Sequence, residues 1–142
     1  VHTDNLEDVM NNFSFISSKV APFIRAMMDS GEYDECDYGV VIDVHQLTPC
    51  DYLKYITDEK SDVYFIITPD ITPEERFHIL KQHDTPDDYT YFHSDEENRK
   101  DCKDIVEISN WLKKQCIECN LPFVDTTYNR ENVINEFMNR LG

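Results

Sequence analysis

The chain has 142 residues, enough for one domain with a substantial core and too few for two ordinary ones. Its 29 acidic residues against 13 basic ones give a formal charge of -16, so the surface as a whole repels polyanions, and the expected partners include neither nucleic acid nor a membrane. Five cysteines, Cys36, Cys50, Cys102, Cys116 and Cys119, form no dense even-numbered framework, and no apolar run approaches the roughly 18 residues of a membrane span; a cytoplasmic protein with reduced thiols is the expectation.

In chain order, Val1-His2-Thr3 ending at Asp4 reads as the end of a strand, and the absence of an initial methionine predicts that the natural protein begins upstream. A helical pattern covers residues 6–29. Three runs follow that are β-branched or aromatic and continuous rather than alternating: Gly39-Val40-Val41-Ile42-Asp43-Val44, Asp62-Val63-Tyr64-Phe65-Ile66-Ile67-Thr68 and Pro122-Phe123-Val124-Asp125. Continuity of this kind predicts strands covered on both faces. Helix starts are marked at Thr48-Pro49, at Thr72-Pro73-Glu74-Glu75 and at Ser94-Asp95-Glu96-Glu97, the last two as capping boxes. Asn129 opens a final helix with Val133, Ile134, Phe137, Met138 and Leu141 along one face.

Alternation of strands and helices predicts an α/β fold: a single unit over residues 1–142, built as a three-layer sandwich with a mainly parallel sheet. Residues 83–93, with Asp84, Pro86, Asp87 and Asp88 beside Tyr89, Tyr91 and Phe92, read as a lid or binding loop.

Ligands of open parallel sheets sit at the carboxyl ends of the strands. Those ends carry Asp4, then Asp43 and His45, then Thr68 and Asp70, then Asp125 and Thr126. Acidic and hydroxyl groups there suit magnesium and phosphate; Asp70 and Thr126 read rather as caps of the helices that follow, while Asp4 and Asp43 read equally either way. An acidic protein can still hold a small phosphorylated ligand through local arginines and helix N-termini. Cys116 and Cys119 form a CxxC pair, but Cys102, Ile105, Ser109, Leu112, Cys116 and Cys119 recur at helical steps, which predicts core packing rather than a metal site.

These residues resemble the P-loop nucleoside and nucleotide kinases, the adenylate and shikimate kinase relatives. Val1-His2-Thr3-Asp4 is similar to that family's second strand, and Tyr38-Gly39-Val40-Val41-Ile42-Asp43 to the strand ending in the Walker B aspartate. The run from Asp62 to Pro69, with Glu74-Glu75-Arg76, is similar to the next strand and the helix leading to the lid. Leu121-Pro122-Phe123-Val124-Asp125-Thr126 before Asn129-Arg130 is similar to the last strand and closing helix.

The resemblance implies ATP and magnesium, a small-molecule acceptor, and a P-loop NTPase-like fold whose first strand and phosphate loop are missing. It implies that Asp43 holds magnesium through water, that Asp4 activates an acceptor hydroxyl, and that Arg76 and Arg99 meet phosphate. On the same ground Asp125 and Thr126 lie beside the nucleotide, and Arg25 and His45 face the acceptor. With Gly31, Gly39 and Gly142 as the only glycines, no GxxGxGK[ST] loop can be written, so this chain should transfer phosphoryl groups poorly. A sheet lacking a central strand would expose edges through which the chain dimerises or swaps. The rival reading is a non-catalytic acidic interaction module that uses the residue 89–92 loop.

Overall fold

A computed structural model describes residues 5–141. Its elements are α1 (Leu6–Asp29), α2 (Pro49–Asp51) running into a wide helical turn (Tyr52–Ile56), β1 (Phe65–Ile67), α3 (Pro73–His83), a 3-10 turn (Tyr89–Phe92), α4 (Asp95–Cys119), β2 (Phe123–Asp125) and α5 (Arg130–Leu141). No helix among the described residues is long and apolar enough to cross a membrane.

The expected three-layer sandwich is therefore not what the chain forms. Among the described residues the sheet has two strands, β1 and β2, and the secondary structure is mostly helical. The opening Val1-His2-Thr3-Asp4 lies outside the described residues. Residues 39–44 form no strand and belong to no ladder, and Val41 is 96 % exposed. The predicted strand at 62–68 shortens to three residues. β-propensity is a local preference, whereas a strand exists only when a second one lies alongside. Where that neighbour is lacking, helices dominate.

The chain divides into two compact units, residues 1–63 and 64–142. In the first, Asn5 caps α1 by accepting the Glu7 N–H at 3.1 Å, and Glu7 and Asp8 favour the positive end of the helix. Phe13, Ala21 and Ile24 of α1 are buried, as are Tyr52 and Ile56 of the wide turn. Ser17, fully buried, ties the two together. Its hydroxyl donates to Asp51 Oδ2 at 2.6 Å and accepts the Thr48 N–H at 2.8 Å, while Thr48 Oγ1 accepts the Asp51 N–H at 3.2 Å. Each polar group taken from water here has a partner, which is what makes a buried serine tolerable.

In the second unit β1 pairs in parallel with β2, Phe65 opposite Phe123 and Ile67 opposite Asp125. Parallel partners need a long crossover, supplied by α3 and α4. Thr72 and Ser94 start these helices with complete capping boxes, each hydroxyl accepting the N–H of a glutamate three residues on. The face of α4 that carries Asn98, Cys102, Val106, Ser109, Leu112 and Cys116 is buried, so of the predicted stripe Cys102, Ser109, Leu112 and Cys116 are core, whereas Ile105 is exposed and Cys119 half-buried. Burial pushes the Cys102 thiol up, and the Cys116 thiol up to about 11. Ser109 Oγ accepts the Thr68 N–H at 3.1 Å and fixes the end of β1 on α4. α4 ends at Asn120, which adopts the left-handed conformation, φ 53°. Phe137 of α5 is buried with Tyr64 edge-on against it at 4.8 Å, whereas Met138 and Leu141 remain exposed.

The 83–93 loop is held by its own hydrogen bonds. Thr85 donates its N–H and hydroxyl to Asp88 Oδ2, both at 2.9 Å, and these bonds keep the Asp88 carboxyl below its usual range. Thr90 donates to Asp84 Oδ1 at 2.6 Å, and buried Asn98 of α4 donates to the Thr90 carbonyl at 2.9 Å. Asn98 ties the segment to α4.

Candidate functional site

Within the unit of residues 64–142 a cleft of about 1030 Å³ opens beyond the carboxyl ends of β1 and β2. Thr68 stands one residue past β1, and Thr126 and Thr127 follow β2; α3 supplies Arg76 and His83, and the first turn of α5 supplies Arg130. The strand ends hold their shape through hydroxyls. The Thr126 N–H and Oγ1 both donate to the Ile67 carbonyl, at 2.8 and 3.1 Å, and Thr127 Oγ1 donates to the Pro69 carbonyl at 2.6 Å. Asp125 turns back on itself, Oδ1 accepting the Thr127 N–H at 2.9 Å.

Three polar atoms in the cleft wall are buried without a partner: Nε of Arg76, Oγ1 of Thr68 and Oδ2 of Asp84. Buried donors are almost always satisfied, and an orphan costs roughly 1–3 kcal/mol. Among the described residues no carboxylate lies within ion-pairing distance of Arg76. That distinguishes it from the other predicted arginines. Arg99 donates to Glu74 through Nε at 3.2 Å and a terminal nitrogen at 3.4 Å, and it lies 4.1 Å from the centre of the Phe77 ring. Arg25 pairs with Asp29 at 2.6 Å and Asp58 at 3.4 Å; the Asp29 hydrogen bond is the main reason its pKa is raised.

The remaining predicted site residues divide by location. Asp4 lies outside the described residues. Arg25, Asp43 and His45 belong to the first unit, where Asp43 and His45 are exposed on the unpaired stretch and the bend after it. Arg76 and Thr126 line the same cleft, with Asp125 next in sequence, and Arg99 of α4 is committed to Glu74 of α3. Asp70, read as a cap, instead pairs with Lys113 of α4 and accepts no metal-like neighbours. Among the described residues no group of three or more His, Cys, Asp or Glu side chains is placed to hold a metal ion. A single carboxylate at Asp43 is not a magnesium donor set, so no step is assigned to a metal there.

Thr68 and His83 entered the sequence reading only as a strand end and a loop boundary. Thr68 was legible through its position at the close of an apolar run, but nothing in the sequence marks its hydroxyl as unpartnered. Comparison of the chain with protein-family models, with curated proteins and with solved structures found no match.

Proposed function

We propose that this chain serves ATP-dependent phosphoryl transfer to a small molecule, with the cleft of residues 64–142 receiving a phosphate. The observation that carries the reading is Arg76, a half-buried cation in the cleft wall with an orphaned Nε and no carboxylate partner. A phosphate oxygen is the complement of such a group, because guanidinium–phosphate hydrogen bonds are charge-assisted and directional. Thr68 Oγ1 adds a second donor, and the amino end of α5, entered by Arg130, adds positive potential. The reading does not require a large parallel sheet. It does require phosphate contacts beyond this cleft, since a glycine-rich loop cannot be formed from three glycines spaced as these are.

Calorimetric titration with magnesium-ATP tests this. Arg76→Ala should weaken binding by about 10- to 100-fold, the value of a charge-assisted hydrogen bond, with helix content unchanged. Equal affinity in the two proteins would remove the cleft from the phosphate site.

A second reading, a non-catalytic acidic interaction module, is favoured by the residue 89–92 turn. There Tyr89 is 68 % and Phe92 75 % exposed on a loop that hydrogen bonds hold in one shape, flanked by Asp87 and Asp88. Exposed aromatics on a fixed turn are the usual anchors of protein contacts. Under this reading Phe92→Ala abolishes partner binding and leaves nucleotide affinity as it was.

A further inference from the structure

Residues 84–97 carry six carboxylates, Asp84, Asp87, Asp88, Asp95, Glu96 and Glu97, and no lysine or arginine. Some of them are occupied: Asp88 by Thr85, Oδ1 of Asp84 by Thr90, and Asp95 by Lys81 at 3.4 Å. The carboxylates of Asp87, just before the 3-10 turn, and of Glu96, on the first turn of α4, have no partner among the described residues. Between them in sequence stand Tyr89, Tyr91 and Phe92, which are 68, 48 and 75 % exposed. Tyr91 meets Phe92 edge-on with ring centres 5.3 Å apart, and Tyr89 meets His93 in the same way at 5.4 Å. Edge-on pairs leave ring faces uncovered. The turn is already ordered: the Tyr91 N–H donates to the Asp88 carbonyl at 3.1 Å and the His93 N–H to the Thr90 carbonyl at 3.2 Å, besides the Asn98 anchor. Rings fixed in this way lose little conformational freedom on contact.

We infer that this turn docks an arginine-bearing segment of another protein, whose guanidinium groups lie on the faces of Tyr89, Tyr91 and Phe92 and pair with the carboxylates of Asp87 and Glu96. Docking there presupposes that the turn is a contact surface, the second reading above, and specifies what it takes. An aromatic face attracts a cation through its quadrupole, and a planar guanidinium also stacks on the ring and pairs with a carboxylate, which a lysine ammonium does less well. The fold uses the same chemistry internally: the Arg99 guanidinium lies 4.1 Å from the Phe77 ring centre while it donates to Glu74. Charge selects the occupant. A second copy of this chain would bring a formal charge of -16 to a surface of the same sign, and a polyanion would be repelled likewise. Of the turn only Thr90 lines the phosphate cleft, so the aromatic face and the cleft can be tested separately.

The test titrates the full chain with a synthetic peptide, Gly-Arg-Gly-Arg-Gly-Arg-Gly, with its lysine counterpart of equal charge, and with a neutral peptide that has leucine at the same places, while amide hydrogen exchange reports where each one binds. The arginine peptide should slow exchange at residues 89–93 and bind at least about three-fold more tightly than the lysine peptide. Phe92→Ala should weaken it about five-fold or more with helix content unchanged, whereas Phe23→Ala, at a similarly exposed ring of α1, should leave it as it was. Asp87→Asn combined with Glu96→Gln should weaken it at low salt and less at high salt. Equal affinity for the arginine and lysine peptides, or equal losses from Phe92→Ala and Phe23→Ala, would overturn the inference by reducing the attraction to net charge. Slowed exchange at 89–93 with the neutral peptide and not with the arginine peptide would overturn it while keeping the turn as a contact surface. A Phe92→Ala chain that binds all three peptides as the parent does would remove the turn as well.

Discussion

Residues 39–44 and β1 begin from nearly the same sequence, a short β-branched run, and end in different states. Ile67 of β1 is 3 % exposed, whereas Ile42 is 42 % exposed. β1 is a strand, whereas residues 39–44 form none. What separates them is company: β1 has β2 in register on one edge and α4 over its end, through the Ser109 contact to Thr68, while residues 40–44 make no backbone hydrogen bond among the described residues. Strand identity is thus a property of the pair. A run of valines and isoleucines announces the capacity to form a sheet and says nothing about whether a partner is present.

The largest expected difference between the two segments is in stability. Ile67→Ala should cost about 2–5 kcal/mol in urea unfolding, the range for truncating a buried aliphatic side chain, whereas Ile42→Ala should cost less than about 0.5 kcal/mol. Equal costs would mean that residues 40–44 are buried in solution. Next comes the helical contact that supports the unpaired segment's unit. Ser17→Ala strands the Asp51 carboxylate and the Thr48 N–H, a loss of about 1–3 kcal/mol readable by the same method. In the β1 unit, Ser94→Ala removes the cap of α4 and should cost about 1 kcal/mol. An unchanged midpoint would show that tertiary packing, not the cap, sets where that helix begins.

The smallest effect is on thiol chemistry. Burial holds the Cys116 thiol up to about 11 from an ordinary 9.0. Between those values the unfolded chain releases a proton that the folded chain keeps, so the contribution of this group to stability falls as pH rises. Alkylation at pH 9 followed by mass spectrometry should therefore label exposed Cys36 and Cys50 quickly, and Cys102 and Cys116 only on unfolding. Rapid labelling of Cys116 in the folded protein would contradict the packing of α4.

What was legible in the sequence was local. The span of α1, both capping boxes, the burial of Cys102 and Cys116 on α4 and the position of β2 all follow from spacing and caps within a few residues, and the structure has each of them. The three-layer sheet was not legible, because it depended on pairings between distant segments that the chain does not make. At the site, Thr126 could be singled out from its place after an apolar run, and Arg76 only through the resemblance to the kinase family. That Arg25 and Arg99 are spent on ion pairs, and Arg76 is not, depends on where Asp58 and Glu74 lie in space. Asn98 was hidden for a different reason: a lone polar residue on a charged first turn gives no sign that it is fully buried and bonded to the Thr90 carbonyl.

Amide hydrogen exchange on the chain alone addresses the contrast between the two segments most directly. The amides of Ile67 and Val124 should be protected by the ladder and the helices over it, and those of Val41 to Val44 should exchange at nearly the rate of an open chain. Comparable protection in both segments would show that residues 40–44 already have a backbone partner, and the account of an unpaired segment would fall.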